Sequence, residues 1–163
     1  MTADNVILWE SLVAAEQNIA KLRAAVNGSN MRIDILAAAL SVEAPVWDQG
    51  AALNFLRLFT RDVPEFVPQL FRFAVGGKWE VEAREVLVAG PREEVASKVA
   101  RHAIEYLPKP DVEDYLQLAS LLAALGSGDA LAMVSSDALA SADSEIQGAG
   151  VYIRQRYSHM IES

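Results

Sequence analysis

The sequence predicts an all-α protein: an α-solenoid of about four helical hairpins with a period of about 32 residues and an N-terminal capping helix. Three observations carry that expectation. Trp47 and Trp79 stand 32 positions apart, each early in a helical pattern, and Asp111 and Asp143 continue the same interval. A second column, Ile35, Val67, Val99 and Leu131, keeps the spacing with an aliphatic residue each time, and Met31, Val63 and Val95 repeat it one helical turn earlier. No stretch shows sustained period-two alternation, whereas apolar steps of three and four recur throughout. Two columns at one period mean that each unit offers an outer and an inner helix that bury little alone and must stack on their neighbours. The chain reads as one domain over residues 1–163, with 1–28 as the cap and 29–160 as the hairpins.

The first element is an amphipathic helix from about Asp4 to Val26. Leu8, Leu12, Ala15, Ile19, Leu22 and Val26 alternate steps of four and three and share one stripe, with Glu10, Glu16, Lys21 and Arg23 facing away. Its expected job is to cover the open first repeat; a coiled-coil dimer seam is the alternative. Asn27 and Gly28 are expected to supply a left-handed stop, and Ser29 or Asn30 caps the next helix. The first repeat pairs about Asn30 to Leu40 with about Pro45 to Phe59, where Trp47 is expected to open a buried face continued by Ala51, Phe55 and Leu56. The second begins at Asp62, read as a cap, but Pro64 and Pro68 make its outer helix start late or bend. Gly76 and Gly77 turn the chain into an inner helix from about Lys78 to Ala89, with Trp79, Ala83, Val86 and Leu87 inward.

Gly90 and Pro91 then start a helix carrying Glu93 and Glu94 in its first turn and reaching Leu107. After the turn at Pro108, Asp111 caps the following helix and Asp114 takes the reciprocal position of a capping box. Tyr115, Leu118, Leu122 and Leu125 form its inward stripe. Gly126, Ser127 and Gly128 break the chain before a helix from about Asp129 to Ala140. Asp143 opens the last helix, with Ile146, Gly150 and Ile153 on one side and Arg154 and Arg156 at the C-terminal end.

Composition narrows the function classes. Cysteine is absent, which removes disulfides, thiolate nucleophiles and Cys-based metal sites. The N-terminus lacks the basic cluster and apolar run of a secretory signal, and no uncharged apolar run approaches the roughly 20 residues that span a bilayer, so a cytoplasmic location is expected. The net charge of −8 is uneven: Glu105, Asp111, Glu113, Asp114, Asp129, Asp137, Asp143 and Glu145 face Lys109 alone between residues 105 and 153. Such a field repels phosphate backbones and anionic lipid and draws in a basic protein. A basic protein partner is therefore expected, with no nucleic acid and no membrane, on a monomer or weak dimer. The plainer reading of the same charge is solubility, aided by carboxylates in first helical turns.

Helix pairs at a fixed period, a proline bending the first helix of a pair at Pro68, and a second helix opening with Asp143 followed by Ile146, Gly150 and Ile153 resemble the HEAT-like repeat group. The resemblance runs from about residue 30 to 158 and is nearer the short bacterial version. Gln147 stands where that group often has arginine, and Gly150 where it usually has alanine. The resemblance implies a curved surface lined by the second helices, which relatives use mainly to hold protein partners and sometimes nucleic acid or a chromophore.

Candidates for chemistry are few. His102 and Glu105 lie one helical turn apart and suit a metal or an acid–base pair, but His102 falls in the packing column of Ala38, Leu70 and Val134. His159 lies near a C-terminal end expected to fray. Asp111, Glu113 and Asp114 lack the glycine turn and distal glutamate of a calcium loop. Gly126 to Asp129 lacks the lysine and preceding strand of a phosphate cradle, and no nucleophile elbow is present. No catalytic residue, metal or cofactor is expected. The 32-residue register instead lines up Asp48, Glu80, Glu82, Glu113, Asp114, Asp143 and Glu145 at the starts of successive inner helices, beside Trp47 and Trp79. Carboxylates that fork onto arginine, with aromatic anchors, suit a basic protein. Size, charge and architecture together suggest an immunity protein that neutralises a basic toxin. The alternatives are an adaptor or assembly factor for a basic cellular protein, and a small HEAT-like lyase or hydrolase using His102 and Glu105.

Overall fold

Local chemistry decides where each helix begins and ends. The computed structural model describes residues 3–76, 78–106 and 111–162, and among these every regular element is helical. The order is α1 (Ala3–Gly28), α2 (Arg32–Ala39), α3 (Val46–Leu58), a 3₁₀ helix (Thr60–Phe66), α4 (Val67–Val75), α5 (Glu80–Ala89), α6 (Arg92–Tyr106), α7 (Val112–Leu125), α8 (Gly128–Leu139), α9 (Ser144–Arg156) and α10 (Ser158–Ile161). Pro64 lies inside the 3₁₀ helix and Pro68 in the first turn of α4, so neither proline interrupts an α-helical ladder. Asp111 and Asp114 form the reciprocal capping box at the start of α7. Gly126 ends that helix in the left-handed region at φ 72°, the one positive φ among the described residues; α1 runs through Gly28, so the left-handed stop expected at Asn27 and Gly28 is not formed. Asp143 caps α9 by accepting from the Glu145 N–H at 2.8 Å. The turns at Gly77 and at Pro108 lie outside the described residues.

Successive helix pairs pack on one another. α3 lies against α5, α5 against α7 and α7 against α9, while α4 touches α5 and α6, and α8 touches both α7 and α9. Phe66, Phe71, Leu70, Leu87, Leu122 and Leu131 are among the largest side chains sealed between these layers. Five side chains bond across between pairs at separations of 30 to 34 residues along the chain. Arg32 reaches Asp62 and the Trp79 indole N–H reaches Gln49 Oε1, each 30 residues away. Arg84 reaches Gln117 and Arg92 Nε reaches the Leu125 carbonyl, each 33 residues away, and Lys98 Nζ reaches the Pro64 carbonyl at a separation of 34.

Four expectations need correcting. The columns Val63 and Val95, and Val67, Val99 and Leu131, are buried, but their first members Met31 and Ile35 are 53% and 46% exposed. Trp47 is 89% exposed and Ala51 is exposed too; the buried face of α3 is Gln49, Ala52, Leu53, Phe55 and Leu56. Gln49 sets that phase, because its amide donates to the Ser41 carbonyl and accepts from Trp79. Asp62 is not a cap. It is buried inside the 3₁₀ helix and takes both arms of the Arg32 guanidinium, at 2.6 and 3.1 Å.

The fourth correction concerns α1, which does not cap its own first repeat. Leu8, Leu12, Ile19 and Leu22 are exposed, and only Val26, near the C-terminal end, packs against the core. Arg32 Nη1 donates to the Asn27 carbonyl at 2.6 Å, tying the last turn of α1 to the Arg32–Asp62 pair while the rest of the helix leads away. At the other end, residues around His159 form α10 instead of fraying, and Met160 and Ile161 pack on the core.

Gly150 explains why α8 and α9 can lie so close. A Cβ there would stand 2.9 Å from the Leu139 backbone nitrogen and 3.0 Å from the Ser135 carbonyl, whose own hydroxyl donates to the Gly150 carbonyl at 3.1 Å. Gly148, on the same helix, has open space at its Cβ position. In urea unfolding, Gly150→Ala is expected to cost about 1–3 kcal/mol by overpacking. Gly148→Ala is expected to stabilise by about 0.5–1 kcal/mol, through chain entropy alone. By the same measurement Asp62→Ala is expected to cost about 3 kcal/mol, since it strands the half-buried Arg32.

Candidate protein-binding surface

The face of α7 is divided between core and surface. Tyr115, Leu118, Ala119, Leu122 and Leu125 turn inward, which leaves Val112, Leu116 and Ser120, four residues apart, on an outer line. On α9, Ala149 and Ile153 face the core while Gly148 and Tyr152 lie beside α7. The small residues Gly148 and Ala149 leave a shallow groove of about 480 Å³, lined by Val112, Leu116, Ser120, Tyr152 and Tyr157 as well. Sequence reasoning missed this groove. Its only early signal is the Val112–Leu116–Ser120 line, which runs beside the inward stripe instead of within it.

Two of the expected carboxylates flank the groove. Glu113 is one turn from Leu116, and Glu145 is one turn from Gly148 and Ala149; both are exposed. Glu113 accepts from the Gln117 amide at 3.2 Å, and Gln117 in turn accepts from Arg84, which lies 3.4 Å from Glu80. Glu80 and Glu113 are thus the ends of one polar chain from α5 to α7. Asp114 and Asp143 serve the helix starts described above. Asp48 and Glu82 are exposed and make no ion pair among the described residues. Trp79 is half-buried with its N–H bonded to Gln49, whereas Trp47 stands free on the first turn of α3.

The charge is distributed as the composition implies. Among the described residues, ion pairs join Arg32 and Arg61 to Asp62, Arg57 to Glu85, Arg84 to Glu80, and Lys98 to Glu65 and Glu94. None of these involves a residue after Lys98, and Asp111, Glu113, Asp129, Asp137, Asp143 and Glu145 are exposed.

The His102 ring meets Phe71 edge-on, with centroids 5.2 Å apart, while the Glu105 side chain lies outside the described residues. Backbone N–H groups of Gly126 and Ser127 bond to the Ala123 and Leu122 carbonyls and so close α7. Among the described residues no three His, Asp or Glu side chains are grouped to hold a metal ion, and no helix is long and apolar enough to cross a membrane.

On the inward face of α7, the Tyr115 hydroxyl donates to Asp137 of α8 at 2.6 Å. Burial, the hydrogen bond to Asp137 and the charge of that carboxylate push the Tyr115 pKa up to about 12. An unfolded tyrosine ionises near 10, so this contribution to stability is complete below about pH 10 and is lost between there and about pH 12. Absorbance titration is expected to show a tyrosine step near pH 12, and Tyr115→Phe to remove that step and flatten the alkaline loss of stability. Compared with known protein families, curated proteins and solved structures, the chain matches none.

Proposed function

We propose that this chain is a non-catalytic protein-binding module, a short HEAT-like solenoid whose acidic C-terminal half takes a basic protein. The observation that carries the reading is the combination on α7 and α9: an apolar, tyrosine-bearing groove flanked by Glu113 and Glu145, neither of which is in an ion pair among the described residues. Desolvated apolar contact in the groove supplies affinity, and unpaired carboxylates at its edges fork onto arginine or lysine and speed encounter. Packing of α3, α5, α7 and α9 in succession supports the solenoid. Within this class, an immunity protein that masks a basic toxin is the reading we favour, and an adaptor for a basic cellular protein is the second.

The test is capture from lysate of the source organism across a salt series, with the wild-type chain beside Glu113→Lys/Glu145→Lys. Both carboxylates are exposed and in no ion pair among the described residues, so the double reversal is expected to cost only about 1–2 kcal/mol, from two first-turn charges and the Gln117 bond. Asp114 is unsuitable for this purpose because its substitution breaks the capping box. One stoichiometric basic partner, retained above physiological salt and bound about a hundred-fold more weakly by the variant, is expected. A broad set of basic proteins released at modest salt, equally by both chains, would sink the reading.

A further inference from the structure

The first helical unit is a core face without a cover. Met31 and Ile35 stand 53% and 46% exposed, although their counterparts one and two periods on, Val63 and Val95 and then Val67 and Val99, are all sealed. Trp47 repeats the contrast against the half-buried Trp79. The segment just before this face, α1, carries an unspent apolar surface of its own. Ile7, Leu8, Trp9, Leu12 and Leu22 are each more than half exposed, and α1 meets the body only around its last turn.

From these two surfaces we infer that α1 is a dimerisation arm. Two copies of this chain pair their α1 helices antiparallel, and the first turns of each arm cover the open first unit of the other. The occupant follows from charge. Asp4, Glu10 and Glu16 occupy the first part of the arm, and Lys21 and Arg23 the last, so an antiparallel pair sets acidic ends against basic ends where a parallel pair would align like charges. Residues 1–58 carry six carboxylates against four cations, so two copies can approach here without the repulsion that the acidic C-terminal half imposes.

The register follows from the stripe. Centring the pair near Gln17 lays Leu8 opposite Val26, Leu12 opposite Leu22 and Ala15 opposite Ile19, and puts Glu16 opposite Asn18 and not against its own copy. It also brings Ile7 and Trp9 of each arm level with the last turn of α1 in the other copy, beside Met31. Such an interface is isologous and closed, so it stops at two copies. The 26-residue arm is about 39 Å long. Two arms with their leucines and Trp9 remove on the order of 1,000 Å² from water, the size at which specific interfaces begin. This surface is on different helices from the groove of α7 and α9, so its fate is independent of the proposed partner.

Sedimentation of the intact chain over a dilution series tests the inference, with pelleting on phosphatidylcholine vesicles as a companion measurement. A dimer that dissociates on dilution is expected. Leu12→Glu/Leu22→Glu should weaken it at least about a hundred-fold, because a two-fold interface meets every new charge twice. Both leucines are exposed in the single chain, so helical circular dichroism should be unchanged. Since the chain has no cysteine, Leu12→Cys/Leu22→Cys should oxidise to a covalent dimer while Leu12→Cys alone should not. A monomer at every concentration, a dimer indifferent to the glutamates, cross-linking by Leu12→Cys alone, or a monomer that pellets with vesicles would each overturn it.

Discussion

A donor side chain that reaches an acceptor about one period along the chain is the interaction on which the rest of this structure depends. Apolar contact between helix pairs supplies most of the driving force, but it is non-directional and tolerates sliding. Arg32 on Asp62, Lys98 on the Pro64 carbonyl, Trp79 on Gln49, Arg84 on Gln117 and Arg92 on the Leu125 carbonyl remove that freedom. Four of these acceptors are backbone or amide oxygens lying between helices, so each bond also satisfies a group that is costly to leave alone. Arg92 shows the coupling most clearly: its target is an end carbonyl of α7, and a Cβ on Gly126 would collide with its guanidinium.

Helix ends and interior columns were legible in the sequence because they are local chemistry repeated. The capping pair Asp111 and Asp114, the break at Gly126, and the delayed start imposed by Pro64 and Pro68 need no knowledge of a neighbour. The misreadings share one cause. A periodic column states which position faces a neighbouring unit, and is silent on whether a neighbour exists at the chain's edge. Met31, Ile35 and Trp47 were therefore assigned to a core that nothing in the single chain completes. Asp62 was misread for a related reason, since its partner Arg32 is 30 residues away and a cap is the only role visible nearby.

The acidic surface was legible from composition, but its division of labour was not. Asp114 and Asp143 spend their oxygens on backbone N–H groups, whereas Glu113 and Glu145, equally close to helix starts, leave theirs to solvent or to a neighbouring amide. The groove between them arises where Gly148 and Ala149 come opposite Leu116. Nothing in the pattern of either helix alone announces that meeting, because it depends on how far α9 sinks against α8 at Gly150.

The near-constant reach of these contacts bears on how the chain folds. The main helix contacts join helices at most three apart in chain order, so no element waits for a distant terminus before its apolar face can be covered. Loop-closure entropy is similar at each step, and low contact order favours fast folding. During synthesis α3 can meet α5 once about 30 further residues have left the ribosome, and each later pair can add to a surface already in place. α1 takes no part in this succession: its apolar side chains stay in contact with water while those of the later helices are covered.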